Sequence, residues 1–84
     1  DLGCDLFTAS AHKWLCGPHE TGILFVRTAM QDRIWPAIVT HGWETSEKAG
    51  ARKFDGLGQR HDGRIEALGV ASAQYAALGP TRVE

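Results

Sequence analysis

The sequence predicts an α/β fold, because two short apolar strands are followed by one long helix. Residues 4–9 (Cys-Asp-Leu-Phe-Thr-Ala) are predicted to form a short buried strand. Gly22–Val26 is a second predicted strand, since it is a brief aliphatic run bounded by turn-forming residues. A polar loop separates the two strands, so we expect them to pair as neighbours with the loop projecting from one end.

The helix predicted over residues 63–78 is the clearest element. Asp62 is expected to cap its first turn, and Gly79-Pro80 is expected to end it, because Gly accepts a left-handed cap and Pro cannot continue a helix. At helical spacing one face is apolar and faces a core. That face contains Leu68, Ala71, Tyr75 and Leu78.

The middle of the chain has weaker patterns. A short helix is predicted from Thr28, as its N-cap, through Ile34, ending before Pro36. Residues 36–60 show no period and are interrupted by glycines, so they are predicted to be a long irregular excursion. Such a loop usually performs a function or lies at an interface. Its His41-Gly42-Trp43 segment is predicted to be an ordinary packed loop, with a substrate pocket or a dimer interface as the alternative.

Composition excludes several classes of protein. The chain has 84 residues, is 43% hydrophobic and 23% charged, and has a net charge of -1. This balance is typical of a globular chain and supplies no basic field for nucleic acid or an anionic membrane. No apolar run approaches the length of a membrane span. Cys4 and Cys16 form no disulfide framework, which predicts a reducing, cytoplasmic compartment. Because the sequence starts without Met, we expect it to be an internal segment.

Chemistry concentrates around Lys13, which lies between His12 and Trp14, after a predicted strand and before the Gly17-Pro18 turn. A lone Lys is normally a solvated surface charge. Here the neighbours are expected to crowd and desolvate it, and desolvation favours the neutral amine, whose lone pair can attack a carbonyl. Schiff-base lysines require this environment.

Two motifs resemble the class V aminotransferases, a family that includes cysteine desulfurases and isopenicillin-N-epimerase-like proteins. The first is Ser-Ala-His-Lys at residues 10–13, followed by Gly17-Pro18 and then Thr21-Gly22 before an aliphatic strand. It resembles the segment that contains the lysine for pyridoxal phosphate. The second, residues 54–60 (Phe-Asp-Gly-Leu-Gly-Gln-Arg), resembles the segment before a helix in the same family.

The resemblance implies a role for each matching residue. Lys13 would form the Schiff base with pyridoxal 5'-phosphate and then move protons at the substrate α-carbon. Ser10 and His12 would hydrogen-bond the cofactor phosphate, which accepts hydroxyl and imidazole donors. Gly58 and Gln59 match the region that, in the family dimer, reaches the phosphate of the neighbouring subunit's cofactor.

The chain departs from the family pattern at four places. Ala11 replaces a common Gly, and Glu20 replaces the usual Gly of the turn, which is expected to alter its geometry. Gly58-Gln59 lacks the Thr that donates to phosphate in desulfurases, and His61 stands where Asp is frequent. The aspartate for the pyridine nitrogen, the aromatic residue stacked on the ring and the arginine for the substrate carboxylate are expected outside this segment.

The resemblance implies that residues 1–84 are part of the large, cofactor-binding domain of a fold-type I enzyme. That domain has a mostly parallel sheet with helices on both faces, and the parent enzyme would be a homodimer acting on an amino acid or small amine. Transamination is the first expected reaction, with epimerisation, lyase chemistry or desulfuration as alternatives. An isolated segment is expected to be inactive, and a non-catalytic module remains a different class of hypothesis.

Two further alternatives concern the cysteines. Four residues provide the donor types of a two-Cys, two-His zinc site, although their spacing is irregular and includes no close Cys pair. They are Cys4, His12, Cys16 and His19. Cys16 is also a candidate nucleophile beside a histidine, but a Cys in an apolar stretch is more often a small buried hydrophobe. We therefore predict no metal.

Overall fold

The computed structural model describes residues 3–56 and 58–82. Its strands are β1 (Leu6–Ser10) and β2 (Gly22–Val26), and its α-helices are α1 (Thr28–Gln31), α2 (Trp43–Ser46) and α3 (Asp62–Leu78). Two 3₁₀ helices span Gly50–Phe54 and Pro80–Arg82. Within the described residues, no helix has the length and apolar character needed to cross a bilayer.

The two strands pair in antiparallel directions. The Ala11 N–H donates to the Thr21 carbonyl at 2.9 Å, and the Arg27 N–H donates to the Asp5 carbonyl at 2.9 Å. Partner numbers therefore fall along one strand as they rise along the other, which is the antiparallel register. The predicted pairing of neighbours is confirmed. The direction differs from the mostly parallel sheet expected of the parent domain, because a direct loop returns the chain alongside itself, whereas parallel neighbours need a crossover.

The prediction that the first strand is buried is wrong for this chain, and the second strand is also largely exposed. In β1 only Ala9 is half-buried, and in β2 only Val26 is buried. Leu24 and Phe25, which lie on opposite faces of β2, are 51% and 48% exposed. A two-stranded sheet without a covering layer leaves both faces open, and such a pair is marginally stable alone.

The chain divides into two compact units. The first unit contains Asp1–Phe7 and Leu24–Arg60, and the second contains Thr8–Ile23 and His61–Glu84. In the first unit, Arg27, the residue that follows β2, bonds to the chain before β1. Its Nε lies 2.8 Å from Asp5 Oδ1, and its guanidinium donates to the Cys4 carbonyl at 2.9 Å.

Lys53 links the 3₁₀ helix Gly50–Phe54 to the end of α1 within the first unit. It is 7% exposed, and its ammonium donates to the Gln31 carbonyl. Had α1 continued, this carbonyl would have accepted the N–H of Trp35, four residues on. α1 ends at Gln31 and not at the predicted Ile34, and the Gln31 carbonyl accepts a hydrogen bond from a side chain instead. The excursion is also more ordered than predicted, since it contains α2 and the 3₁₀ helix Gly50–Phe54.

The long helix agrees with the prediction at its end and starts one residue earlier. The Arg64 N–H bonds the His61 carbonyl at 3.0 Å, so His61 is the N-cap and Asp62 is the first helical residue. In the same way Thr28 is the first residue of α1, with Arg27 as its N-cap. Gly79 ends the helix with a positive φ of 73°, but its ψ of 158° is not that of the predicted left-handed cap.

Candidate cofactor site

The residues of the first motif lie at the end of β1 and in the loop that follows it. We call residues 11–21 the lysine loop. Its two end residues, Ala11 and Thr21, are buried and bonded to each other through the backbone. The Gly17 N–H donates to the Ala11 carbonyl at 2.8 Å, and the Thr21 hydroxyl donates to the Pro18 carbonyl at 2.6 Å. The loop is therefore closed at its base, and its outer residues project from a fixed frame.

Gly17 is required by a close approach. A Cβ added at this position would lie 2.9 Å from the Ala11 carbonyl oxygen and 2.9 Å from Leu68 Cδ1 of α3. Real Cβ atoms do not approach other atoms so closely, so any side chain here would displace the loop or the helix. The glycine of the first motif therefore lets the lysine loop pack against α3 in the second unit.

Two non-glycine residues of the loop have positive φ angles, Cys16 at 57° and Glu20 at 62°. Glu20 stands where the family has glycine, and its φ is in the region that glycine adopts freely. The Glu20 carboxylate also forms an ion pair with Arg64 of α3, an interaction that glycine would not provide.

One cavity of the second unit, of about 440 Å³, contains the proposed Schiff-base lysine. Lys13 and Ser10 line it together with Tyr75 of α3, and Trp14, Leu15 and Ile23 provide apolar or aromatic walls. The side chains of Lys13 and Trp14 are exposed, the latter by 82%. The described residues of this chain therefore do not supply the crowding expected around the lysine.

The donors of this cavity fit pyridoxal phosphate chemically. Lys13 has a primary amine of the kind that an aldehyde would need, Ser10 has a hydroxyl of the kind that a phosphate would accept, and the apolar walls suit an aromatic ring. Tyr75 was placed by the sequence only on the apolar face of the last helix. A tyrosine on an apolar face has a polar tip that needs a partner, and this was the signal that could have identified it.

His12 does not line the same cavity. Its ring stacks on that of His19, with centroids 5.7 Å apart and an interplanar angle of 28°. Within residues 3–56 and 58–82, no three His, Cys, Asp or Glu side chains are grouped to hold a metal, so the zinc alternative is not assembled. The Cys16 thiol is exposed and contacts the Trp14 carbonyl at 3.7 Å, with no histidine bonded to it in the described part of the chain.

Gly58 and Gln59 belong to the first unit. Both are exposed, and Gly58 has a φ of 84°. Leu57, in the same motif, lies outside the described residues. The structure thus brings Ser10 and Lys13 to one cavity, and it describes Gly58 and Gln59 as part of a separate unit of the chain.

Comparison with known proteins agrees with the first motif. The family model for Aminotransferase class-V matches residues 1–65. The chain is 31% identical over 84 residues to L-threonine:uridine-5'-aldehyde transaldolase from Amycolatopsis sp, covering 100% of this chain and 17% of that protein. It is 26% identical over 82 residues to a probable hercynylcysteine sulfoxide lyase from Mycobacterium tuberculosis (strain CDC 1551 / Oshkosh), covering 98% of this chain and 20% of that protein.

The chain therefore spans a fifth or less of the length of these curated relatives. No solved structure matches it significantly. The family match includes Ser10, His12, Lys13, Gly58 and Gln59, and it ends in the first turn of α3. Since the match covers most of the sequence, the chain belongs to the class V aminotransferase family.

Proposed function

We propose that this chain is the lysine-containing segment of a pyridoxal-phosphate enzyme that acts on an amino acid or a small amine. The observation that supports the proposal most directly is that Lys13 and Ser10 line one cavity, at the end of β1, in a member of this family. In this proposal residues 1–84 are part of the large domain of the enzyme.

Each residue has a defined task in the proposal. Lys13 would hold the cofactor through its amine, and the same amine would accept and return a proton at the substrate α-carbon. The Ser10 hydroxyl and the His12 imidazole donate to the phosphate. When bound, the cofactor supplies an electron sink for carbanion chemistry, and the protein positions and tunes it.

Lys13 is exposed in this chain, so the residues that would shield it are proposed to come from elsewhere in the enzyme. Gly58 and Gln59 are proposed to contact the cofactor phosphate of a second subunit in a homodimer. Both cysteines are free, which supports a reducing compartment, and we propose the cytoplasm.

Transamination is the first candidate reaction, since it is the reaction of the family's name. Bond cleavage is the second candidate, because the two relatives are named as a transaldolase and a sulfoxide lyase. A cavity bordered by a lysine serves either reaction, since transamination and β-elimination need a base at the α-carbon and aldol cleavage needs a base for the β-hydroxyl proton. Incubation of the intact enzyme with an amino acid distinguishes them: a new oxo acid formed with amino transfer supports transamination, and a smaller aldehyde or sulfur fragment supports cleavage.

The Lys13 assignment is tested by trapping the cofactor. The protein is incubated with pyridoxal phosphate, reduced with borohydride and mapped by peptide mass spectrometry, both as the 84-residue chain and as the intact enzyme. We expect one phosphopyridoxyl adduct, on Lys13, and complete loss of this adduct in Lys13→Ala. Lys13→Arg keeps the positive charge and should also lose the adduct, because a guanidinium does not form a stable Schiff base.

Lys48 and Lys53 provide matched controls. Lys48 is exposed, and Lys53 is buried with its ammonium bonded to a carbonyl. Adduct formation in Lys48→Arg should equal that in the unaltered protein. Equal labelling of Lys13 and Lys48, or no adduct in the intact enzyme, would show that the motif does not bind the cofactor.

A further inference from the structure

A second cavity lies wholly within the first unit, in the excursion of residues 36–60. Its volume is about 230 Å³. Neither Lys13 nor Ser10 lines it, and the proposed cofactor chemistry assigns it no role. Its polar and aromatic walls include His41, Trp43, Ser46, Arg52, Lys53 and Asp55.

The walls of this cavity are held by specific contacts. Trp43 packs against Trp35, with ring centroids 4.9 Å apart, and the Ser46 hydroxyl donates to the Trp43 carbonyl at 3.2 Å. On the opposite side Gly56 lies so close to Thr40 that an added Cβ would be 2.8 Å from its hydroxyl oxygen. The segments before and after α2 and the 3₁₀ helix are therefore in close contact around the cavity.

Three charged residues line this cavity, namely Arg52, Lys53 and Asp55. The Lys53 ammonium already donates a hydrogen bond to the Gln31 carbonyl. Arg52 and Asp55 line the same cavity with opposite charges. Among residues 3–56 and 58–82, the side chains of these two residues form no hydrogen bond and no ion pair, with each other or with any neighbour. Arg52 and Asp55 are both exposed residues that border the same small volume.

A ligand with both charges satisfies this pair better than a simple ion does. A guanidinium binds a carboxylate through two parallel hydrogen bonds, and a carboxylate accepts hydrogen bonds from an ammonium. A simple anion would meet Asp55 with like charge, and a simple cation would meet Arg52 with like charge. Ile38 and Trp43 also line the cavity and offer apolar surface to a short side chain.

We propose that this cavity binds a small α-amino acid as a zwitterion, with Arg52 holding the carboxylate and Asp55 holding the ammonium. The proposal goes beyond the function given above, because it places an amino-acid site on residues of the first unit alone. It stands on Arg52 and Asp55 and does not need Lys13 to bind the cofactor.

The three tryptophans allow binding to be located. Trp43 lines this cavity, Trp35 contacts Trp43, and Trp14 lines the Lys13 cavity. The protein is labelled with 5-fluorotryptophan, its fluorine NMR signals are assigned by Trp→Phe replacement, and it is titrated without cofactor. The probes are alanine, acetate and methylamine. We expect alanine to shift the Trp43 signal most, the Trp35 signal less and the Trp14 signal not at all.

Alanine should bind more tightly than acetate or methylamine by about tenfold, because each of these lacks one charged contact. Arg52→Ala and Asp55→Asn should each weaken alanine binding by about tenfold or more. Arg52→Lys keeps the charge without the paired hydrogen bonds and should give an intermediate loss, which shows that the cavity remains folded. Arg33→Ala and Glu66→Gln alter exposed residues that do not line the cavity and should leave binding unchanged.

Three results would overturn the proposal. Acetate binding as tightly as alanine, without an effect of Asp55→Asn on alanine, would indicate an anion site. A shift of Trp14 without one of Trp43 would place the amino acid in the Lys13 cavity. No shift of Trp43 in the unaltered protein would mean that the cavity binds no amino acid. Loss of adduct formation at Lys13, in contrast, would affect the proposed function and leave this proposal standing.

Discussion

The lysine loop and the excursion are both long connections, but different kinds of contact hold them. The lysine loop is closed by bonds among its own residues, from Ala11 to Thr21 and from Gly17 back to Ala11. The excursion contains two short helices, and its buried residue Lys53 bonds the carbonyl of Gln31, 22 residues earlier. The backbone of the lysine loop is thus closed by local bonds, to which α3 adds an ion pair through Arg64, whereas the excursion contains a buried lysine whose partner precedes the excursion.

This difference determines how much of each connection can be predicted from its sequence. Gly17 and Pro18 belong to a short motif and form bonds within the loop, so a motif search finds them, although Gly17 also lies against Leu68 of α3. The contact between Lys53 and Gln31 has no local pattern, and a lysine is normally predicted to be solvated. Substitutions in the two connections should therefore have separate and measurable effects on stability.

The largest expected effect is at Gly17. Gly17→Ala should lower the free energy of unfolding by about 2–3 kcal/mol, because the new methyl group would overlap the Ala11 carbonyl and Leu68. Denaturant unfolding followed by circular dichroism measures the change. Gly69→Ala is the matched control: its added Cβ meets nothing within 4 Å, so it should raise stability by about 0.5–1 kcal/mol through helix propensity. Equal effects of the two substitutions would contradict the close packing of the loop.

A smaller loss is expected at Lys53. Lys53→Met keeps most of the side-chain length but leaves the Gln31 carbonyl without its donor, which should cost about 1–2 kcal/mol. The same unfolding measurement, together with amide hydrogen exchange in α1, would show the loss. Lys48→Met removes an exposed charge and should change stability by less than about 0.5 kcal/mol. If the two variants were equally stable, the excursion would not depend on its distant contact.

The smallest effect is a gain at Cys16. Its φ of 57° is disfavoured for a residue with a side chain, so Cys16→Gly should raise the free energy of unfolding by about 1 kcal/mol. Cys16→Ser retains the side-chain strain and should leave stability nearly unchanged. Thermal unfolding of the two variants tests the comparison. A destabilised Cys16→Gly would mean that the thiol contributes a contact larger than the strain.

Much of the fold was predictable wherever neighbouring residues specify it. The bounds of β2 and the end of α3 match the prediction, because turn residues and a Gly-Pro sequence interrupt the pattern at those positions. The ends that depend on one backbone hydrogen bond, such as His61 as the N-cap of α3, were wrong by one residue. The exposure of β1 was also missed, since burial depends on a covering layer and not on the apolar side chains themselves.

In the candidate site, too, some features could be predicted from the local sequence and others could not. The residue types at positions 10–13 and the glycine at position 17 are enough to recognise the family, because cofactor chemistry restricts which side chains occur there at that spacing. The apolar face of α3 indicated that the Tyr75 hydroxyl needs a partner, but not that this residue shares a cavity with Lys13, nor that Ile38 and Asp55 line another cavity. These placements arise from packing between segments far apart in the chain, and the identity of a residue alone does not specify which segment it will meet.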